Sequence, residues 1–147
     1  MVQAASDAET ISLRVVVDQN GVHGTLGIAA ATNTPGAHVP AVTWTDAAGN
    51  LWLFGGDGYD SAGDVDELSD VWKCSAGEWT WIGGSDVASQ QGTYGTLGSA
   101  ASGNTPGGRS QTVGWTDAAG HFWLFGGLGY DAVGTLGQLN HLWMYEP

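Results

Sequence analysis

Six carboxylates fall within one 14-residue stretch: Asp57, Asp60, Asp64, Asp66, Glu67 and Asp70. Oxygen donors at this density suit a hard cation such as Ca²⁺, which takes about 6–8 oxygen ligands. Asp57, Asp60, Asp64 and Asp66 are the candidate metal ligands, although no D-x-[DN]-x-[DN]-G frame is present. The competing expectation is a solvated acidic loop that favours solubility. No other cofactor is implied. Asp60 and Asp131 could serve glycoside hydrolysis only at a separation of about 5–9 Å. Both sit in a Gly-Tyr-Asp motif, where an Asp accepting backbone N–H groups in a turn is the expected role. The histidines His23, His38, His121 and His141 show neither HxH nor HExxH spacing, and no Ser-His-Asp or Cys-His pattern is signalled. Cys74, the only cysteine, excludes an intrachain disulfide and a Cys-rich zinc site and reads as a small core or flank residue. Catalytic residues are therefore not assigned. The binding chemistry on offer is aromatic rings beside carboxylates in Gly-rich loops, a common sugar-binding surface. It assigns Tyr59, Asp60, Tyr94, Tyr130, Asp131 and His23 as candidate ligand-binding residues.

The elements that must position these groups come from a duplication. Shifting the chain by 71 positions aligns Gly21–Ala76 with Gly92–Pro147 without a gap, and 29 of the 56 pairs are identical. Trp44-Thr45-Asp46-Ala47-Ala48-Gly49 recurs from Trp115, and Trp52-Leu53-Phe54-Gly55-Gly56 recurs from Trp123. Each unit reads as β. Val39–Thr45 and Ser110–Thr116 are apolar or β-branched runs, and Asp46–Gly49 and Asp117–Gly120 supply turns. Leu51–Phe54 and Phe122–Phe125 are strands expected to stop at Gly-Gly; Leu68–Cys74, Leu139–Tyr145 and Glu78–Ile82 follow. Trp44, Trp52, Trp72, Trp115, Trp123 and Trp143 are expected core residues. No helical periodicity is sustained.

Composition closes several classes. Three basic residues, Arg14, Lys73 and Arg109, stand against fifteen acids for a net charge of −12, which excludes nucleic acid and anionic membrane surfaces as partners. Glycine supplies 25 of the 147 residues, yet 42% hydrophobic content with eight Trp allows a real core rather than disorder. No run reaches a membrane span, and Met1–Asn20 shows no signal-peptide pattern.

The order strand, Leu-Phe-Gly-Gly, loop, Leu-x-x-x-Trp, then a Trp-bearing strand resembles the kelch repeat. The nearest likeness is to long-repeat bacterial kelch proteins related to the central domain of galactose oxidase. The resemblance implies an all-β β-propeller of four-stranded antiparallel kelch-type blades, with about two blades in this chain. Arg109 resembles the kelch basic residue near the first strand, whose expected role is a buried bond to a loop carbonyl. Residues 1–9 form an N-terminal tail, 10–20 a strand completing a blade, 21–91 the first blade repeat with its connection, and 92–147 the second repeat, lacking its last strand. Two blades do not close a ring of four to eight, so a homo-oligomer of three or four chains is expected to complete it. The implied function is a non-catalytic, self-assembling scaffold or interaction module. The alternatives are a multivalent, lectin-like carbohydrate binder and an enzyme with a site on the propeller axis. The resembling proteins imply an extracellular or cell-surface setting, although no signal-peptide pattern is present, and the loop chemistry makes a carbohydrate or protein ligand the expected partner besides the chain itself.

Overall fold

The structure, a computed structural model, describes residues 17–147. The expected strand over 10–20 lies almost wholly outside the described residues. Within them the chain is all-β, with no helix and eleven antiparallel strands. Among the described residues no helix is long and apolar enough to cross a membrane.

In the first repeat β1 (His38–Val39) and β2 (Val42–Thr45) both pair with β3 (Leu51–Tyr59), which pairs with β4 (Val65–Ser75), which pairs with β5 (Glu78–Gly83). The result is a sheet four strands wide whose first strand is broken at Pro40-Ala41. Proline has no N–H to give a ladder, so the break falls where pairing is weakest. The turns follow from residue type. Asp46 Oδ1 accepts the N–H groups of Ala48 and Asn50 at 3.0 and 2.9 Å, while its Oδ2 accepts the Trp52 indole N–H at 3.0 Å. Asp117 repeats this with Ala119, His121 and Trp123. These bonds hold the carboxyls of Asp46 and Asp117 far below the usual range, chiefly through the indole bond. Between β4 and β5 the turn residues Ala76 and Gly77 both have positive φ, 50° and 82°, the tight hairpin geometry that matches strand twist.

Two expectations need correction. The strand from Leu51 does not stop at Gly-Gly: β3 crosses Gly55-Gly56 on a bulge and continues to Tyr59. The β4 strand accordingly begins at Val65, so Asp57, Asp66, Glu67 and Asp70 lie on paired strands rather than in a loop. Glycine is what permits the bulge. Gly55 has φ +58°, and a Cβ there would stand 2.7 Å from the Arg109 carbonyl oxygen and 2.8 Å from that of Leu68.

The second repeat does break at its Gly-Gly pair. One three-stranded ladder joins β6 (Arg109–Ser110), β9 (Leu128–Tyr130) and β10 (Leu136–Gln138). Another joins β7 (Val113–Thr116), β8 (Phe122–Phe125) and β11 (Leu142–Tyr145).

The core lies between the two repeats. Alternation along β2 and β3 puts Val42, Trp44, Trp52 and Phe54 on one face of the first sheet. They meet Phe122, Leu124, Trp143 and Tyr145 on the near face of the second. Trp44 stacks on Phe122 at 5.3 Å with the rings 4° from parallel, and its indole N–H donates to the Trp123 carbonyl at 3.1 Å. Gly114 makes the approach possible, because a Cβ there would reach Val42 Cγ2 at 2.3 Å.

Candidate functional site

The same contact defines an open surface. The far face of the second sheet carries Val113, Trp115, Phe125 and Leu142, which correspond by the 71-residue shift to Val42, Trp44, Phe54 and Val71. Val42 and Phe54 are 7% and 3% exposed, whereas Val113, Trp115, Phe125 and Leu142 are 62%, 43%, 45% and 54% exposed. Trp115 is therefore 43% exposed rather than the core residue expected; among the described residues no sheet lies beyond it, and it stacks on Trp123 at 6.0 Å. The first sheet has the complementary vacancy: Leu51, counterpart of the buried Phe122, is 53% exposed. Exposed apolar residues contiguous on a sheet face mark an association surface.

Beneath the outer edge of the first sheet is a buried polar cluster. His23 Nε2 lies 3.2 Å from Asp70 Oδ2, which also accepts the Trp72 indole N–H at 2.7 Å. The His23 ring packs on Trp72 and Trp81 at 4.8 and 5.1 Å. His38 Nδ1–H donates to the Gly55 carbonyl at 2.9 Å, and its Nε2 faces Asp70 Oδ2 at 3.7 Å. Burial pushes the His38 imidazole below its ordinary pKa and outweighs the attraction of Asp70.

The equivalent positions in the second repeat hold Tyr94, Arg109 and His141. Arg109 is fully buried and donates to the Gly107 and Gly126 carbonyls at 3.0 and 3.4 Å. The Gly126 contact matches that of His38 with Gly55. The Tyr94 hydroxyl bonds His141 Nδ1 at 2.9 Å. No carboxylate replaces Asp70 here, and among the described residues Arg109 Nη2 and Trp143 Nε1 are buried without partners. Burial lowers the Arg109 pKa, an effect that the neighbouring Tyr94 hydroxyl partly offsets.

The sequence-assigned residues are largely committed to holding the chain. Asp60 is buried; its Oδ1 accepts the N–H groups of Ala62, Gly63 and Asp64, and its Oδ2 that of Ala88. Asp131 accepts Val133 and Thr135 N–H in the same manner. Tyr130 donates to Asp66 Oδ2 at 2.8 Å, where Ser89 Oγ also bonds. Tyr94 and His23 are held in the two buried clusters. Tyr59 is half-buried at the end of β3, and Asp57 and Asp64 are exposed. Among the described residues no group of three or more His, Cys, Asp or Glu is arranged to hold a metal ion. Cys74 is free and half-buried.

Sequence reading missed the His23–His38–Asp70 meeting, because its members come from three separate segments. A signal existed: these are three positions at which the two copies carry different chemical types. It also missed a polar cleft of about 410 Å³ between the end of β5 and the next connection, lined by Trp81, Asp86, Gln90, Gln91, Thr93 and Thr105 among others.

No protein-family model matches the chain, and no curated protein matches it significantly.

Proposed function

We propose that the chain is a non-catalytic building block of a kelch-type β-propeller, each repeat a blade, which self-assembles into a scaffold or interaction module. The observation that carries this reading is the unequal burial of identical residues. Val42, Trp44 and Phe54 of the first sheet are packed against the second, while Val113, Trp115 and Phe125 of the second face solvent. A stacking surface repeated by duplication and left uncovered at one end takes another sheet of the same kind. Three or four chains supply six or eight blades, within the range of closed propellers. Light scattering on the full chain tests this. A mass of three or four times 15.1 kDa supports it. A 15.1 kDa particle at tens of micromolar sinks it.

A second reading, carbohydrate binding, draws support from the polar cleft near Trp81. It joins an indole, two amides, hydroxyls and a carboxylate, with no basic residue among its lining groups. A neutral glycan is the ligand such a lining suits. Glycan titration followed by Trp fluorescence tests it, and the absence of any response to a broad panel removes it.

A further inference from the structure

We infer that a second copy of this chain docks head-to-tail on the open face of the second sheet, in the register already used between the two repeats. This rests on the assembly reading and adds its geometry. The internal contact supplies the template and the 71-residue shift supplies the partners. Trp44 stacks on Phe122 and donates to the Trp123 carbonyl, so Trp115 of one copy covers Leu51 of the next and donates to its Trp52 carbonyl. Val42 packs on Leu124 and meets the backbone at Gly114, so Val113 meets Leu53 and Thr43.

The receiving face is apolar at its centre but carries Thr43 where the template has Gly114, so the docking copy must sit farther out over Thr43 than Val42 sits over Gly114. Leu51 is 53% exposed and Leu53 half-buried, both apolar where the internal template has Phe122 and Leu124. Trp72 is already covered within its own chain by His23 and Trp79, so the docking copy needs only the inner half of the face. Smaller Leu51 in place of Phe122 leaves room for the Trp115 ring. Phe125 and Leu142 extend the donor face along the adjoining strands.

The contact is heterologous, joining two different surfaces, and such contacts build rings or open chains rather than two-fold dimers. Trp115 is the anchor, a large aromatic ring whose indole N–H gains an acceptor only on docking.

Directional cross-linking tests the register. A Cβ at Gly114 would lie 2.3 Å from Val42 Cγ2, close enough that the corresponding side chains at 113 and 43 of two copies fall within disulfide reach. Both Val113 and Thr43 are exposed, so Val113→Cys and Thr43→Cys should leave each chain folded. In a Cys74→Ser background, the two single variants are mixed and oxidised with glutathione disulfide. The expected product is a covalent dimer from the mixture and none from either variant alone. Trp115→Ala should weaken assembly by about 30-fold or more, the scale of an aromatic anchor. A multimer by light scattering that yields no mixed dimer, or one in which Val113→Cys links to itself, overturns this register and leaves the assembly reading intact. A single-chain mass overturns both.

Discussion

Replacing His141 with Asp should stabilise the protein. In the first repeat Asp70 Oδ2 accepts the Trp72 indole N–H at 2.7 Å and lies 3.7 Å from His38 Nε2. The second repeat keeps the tryptophan as Trp143 and has the longer, always-charged Arg109 in place of His38. Its acceptor is missing, and Trp143 Nε1 and Arg109 Nη2 are both buried without partners. A buried polar group left unpaired costs about 1–3 kcal/mol, and a bond to a charged group contributes about 1.5–3 kcal/mol. A carboxylate at position 141 meets both needs. Against it stand the lost Tyr94–His141 hydrogen bond, about 1 kcal/mol, and several kcal/mol for burying the carboxylate. With two bonds to the new carboxylate at about 1.5–3 kcal/mol each, the net gain is at most about 2 kcal/mol. For a chain of this size that is at most about 6 °C in Tm. Urea and thermal unfolding followed by Trp fluorescence, at one fixed protein concentration, read it out. His141→Asn is the control, since it offers Trp143 an acceptor but Arg109 no charge, and should recover less than half the gain. If His141→Asp is no more stable than the parent, or His141→Asn equals it, the idea of an unmet charge at Arg109 is refuted.

Other groups in the fold carry expectations of their own. Asp117 has a folded-state pKa held below its ordinary value, so its stabilisation is full above about pH 5 and is lost as pH falls. Asp117→Asn should lower Tm at pH 7 and flatten the decline between pH 5 and pH 2. Glu67 is shifted upward by burial, so its ionised form is disfavoured in the fold. Glu67→Gln should raise the urea midpoint at pH 7 and give no gain near pH 3, where both states are protonated. Ala76 has φ +50° beside Gly77, and Asn tolerates that region better; Ala76→Asn should add about 0.5–1 kcal/mol in urea unfolding. Gly55→Ala forces a methyl group against two backbone carbonyls, one of them that of Arg109 in the facing sheet. A loss of at least about 2 kcal/mol is expected, and an unchanged urea midpoint would show that the bulge can relax.

The duplication, the turns at Asp46 and Asp117 and the strand cores could all be read from residue order, because alternation and turn chemistry are local. The β3 strand was misjudged at Gly55-Gly56 because glycine signals a stop and a bulge equally well. Only glycine fits at 55 against the Arg109 carbonyl across the sheet contact, and that is a tertiary fact. The second copy, with the same Gly-Gly pair, does break there. The aromatic–carboxylate set was legible as residue types but not as a site. Asp60, Asp131 and Tyr130 spend their polar atoms on turns and on Asp66. The fate of Trp115 was hidden as well: the same tryptophan is covered at one end of the pair and bare at the other, which no local pattern distinguishes.

The identity of the repeats at 29 of 56 positions also bears on how the chain reaches its native state. Segments 21–38 and 92–109 are alternative tenants of the same two sheets. A nascent or refolding chain in which 92–109 lands on the first sheet brings the guanidinium of Arg109 to Asp70, an ion pair that the native arrangement never makes. The misplaced tenant thus offers Asp70 a permanent cation in place of the two imidazoles, His23 and His38, that face it natively. Exchange of these segments, within a chain or between neighbours, is the characteristic kinetic trap of such a duplicated molecule. It should deepen with protein concentration and shrink in high salt.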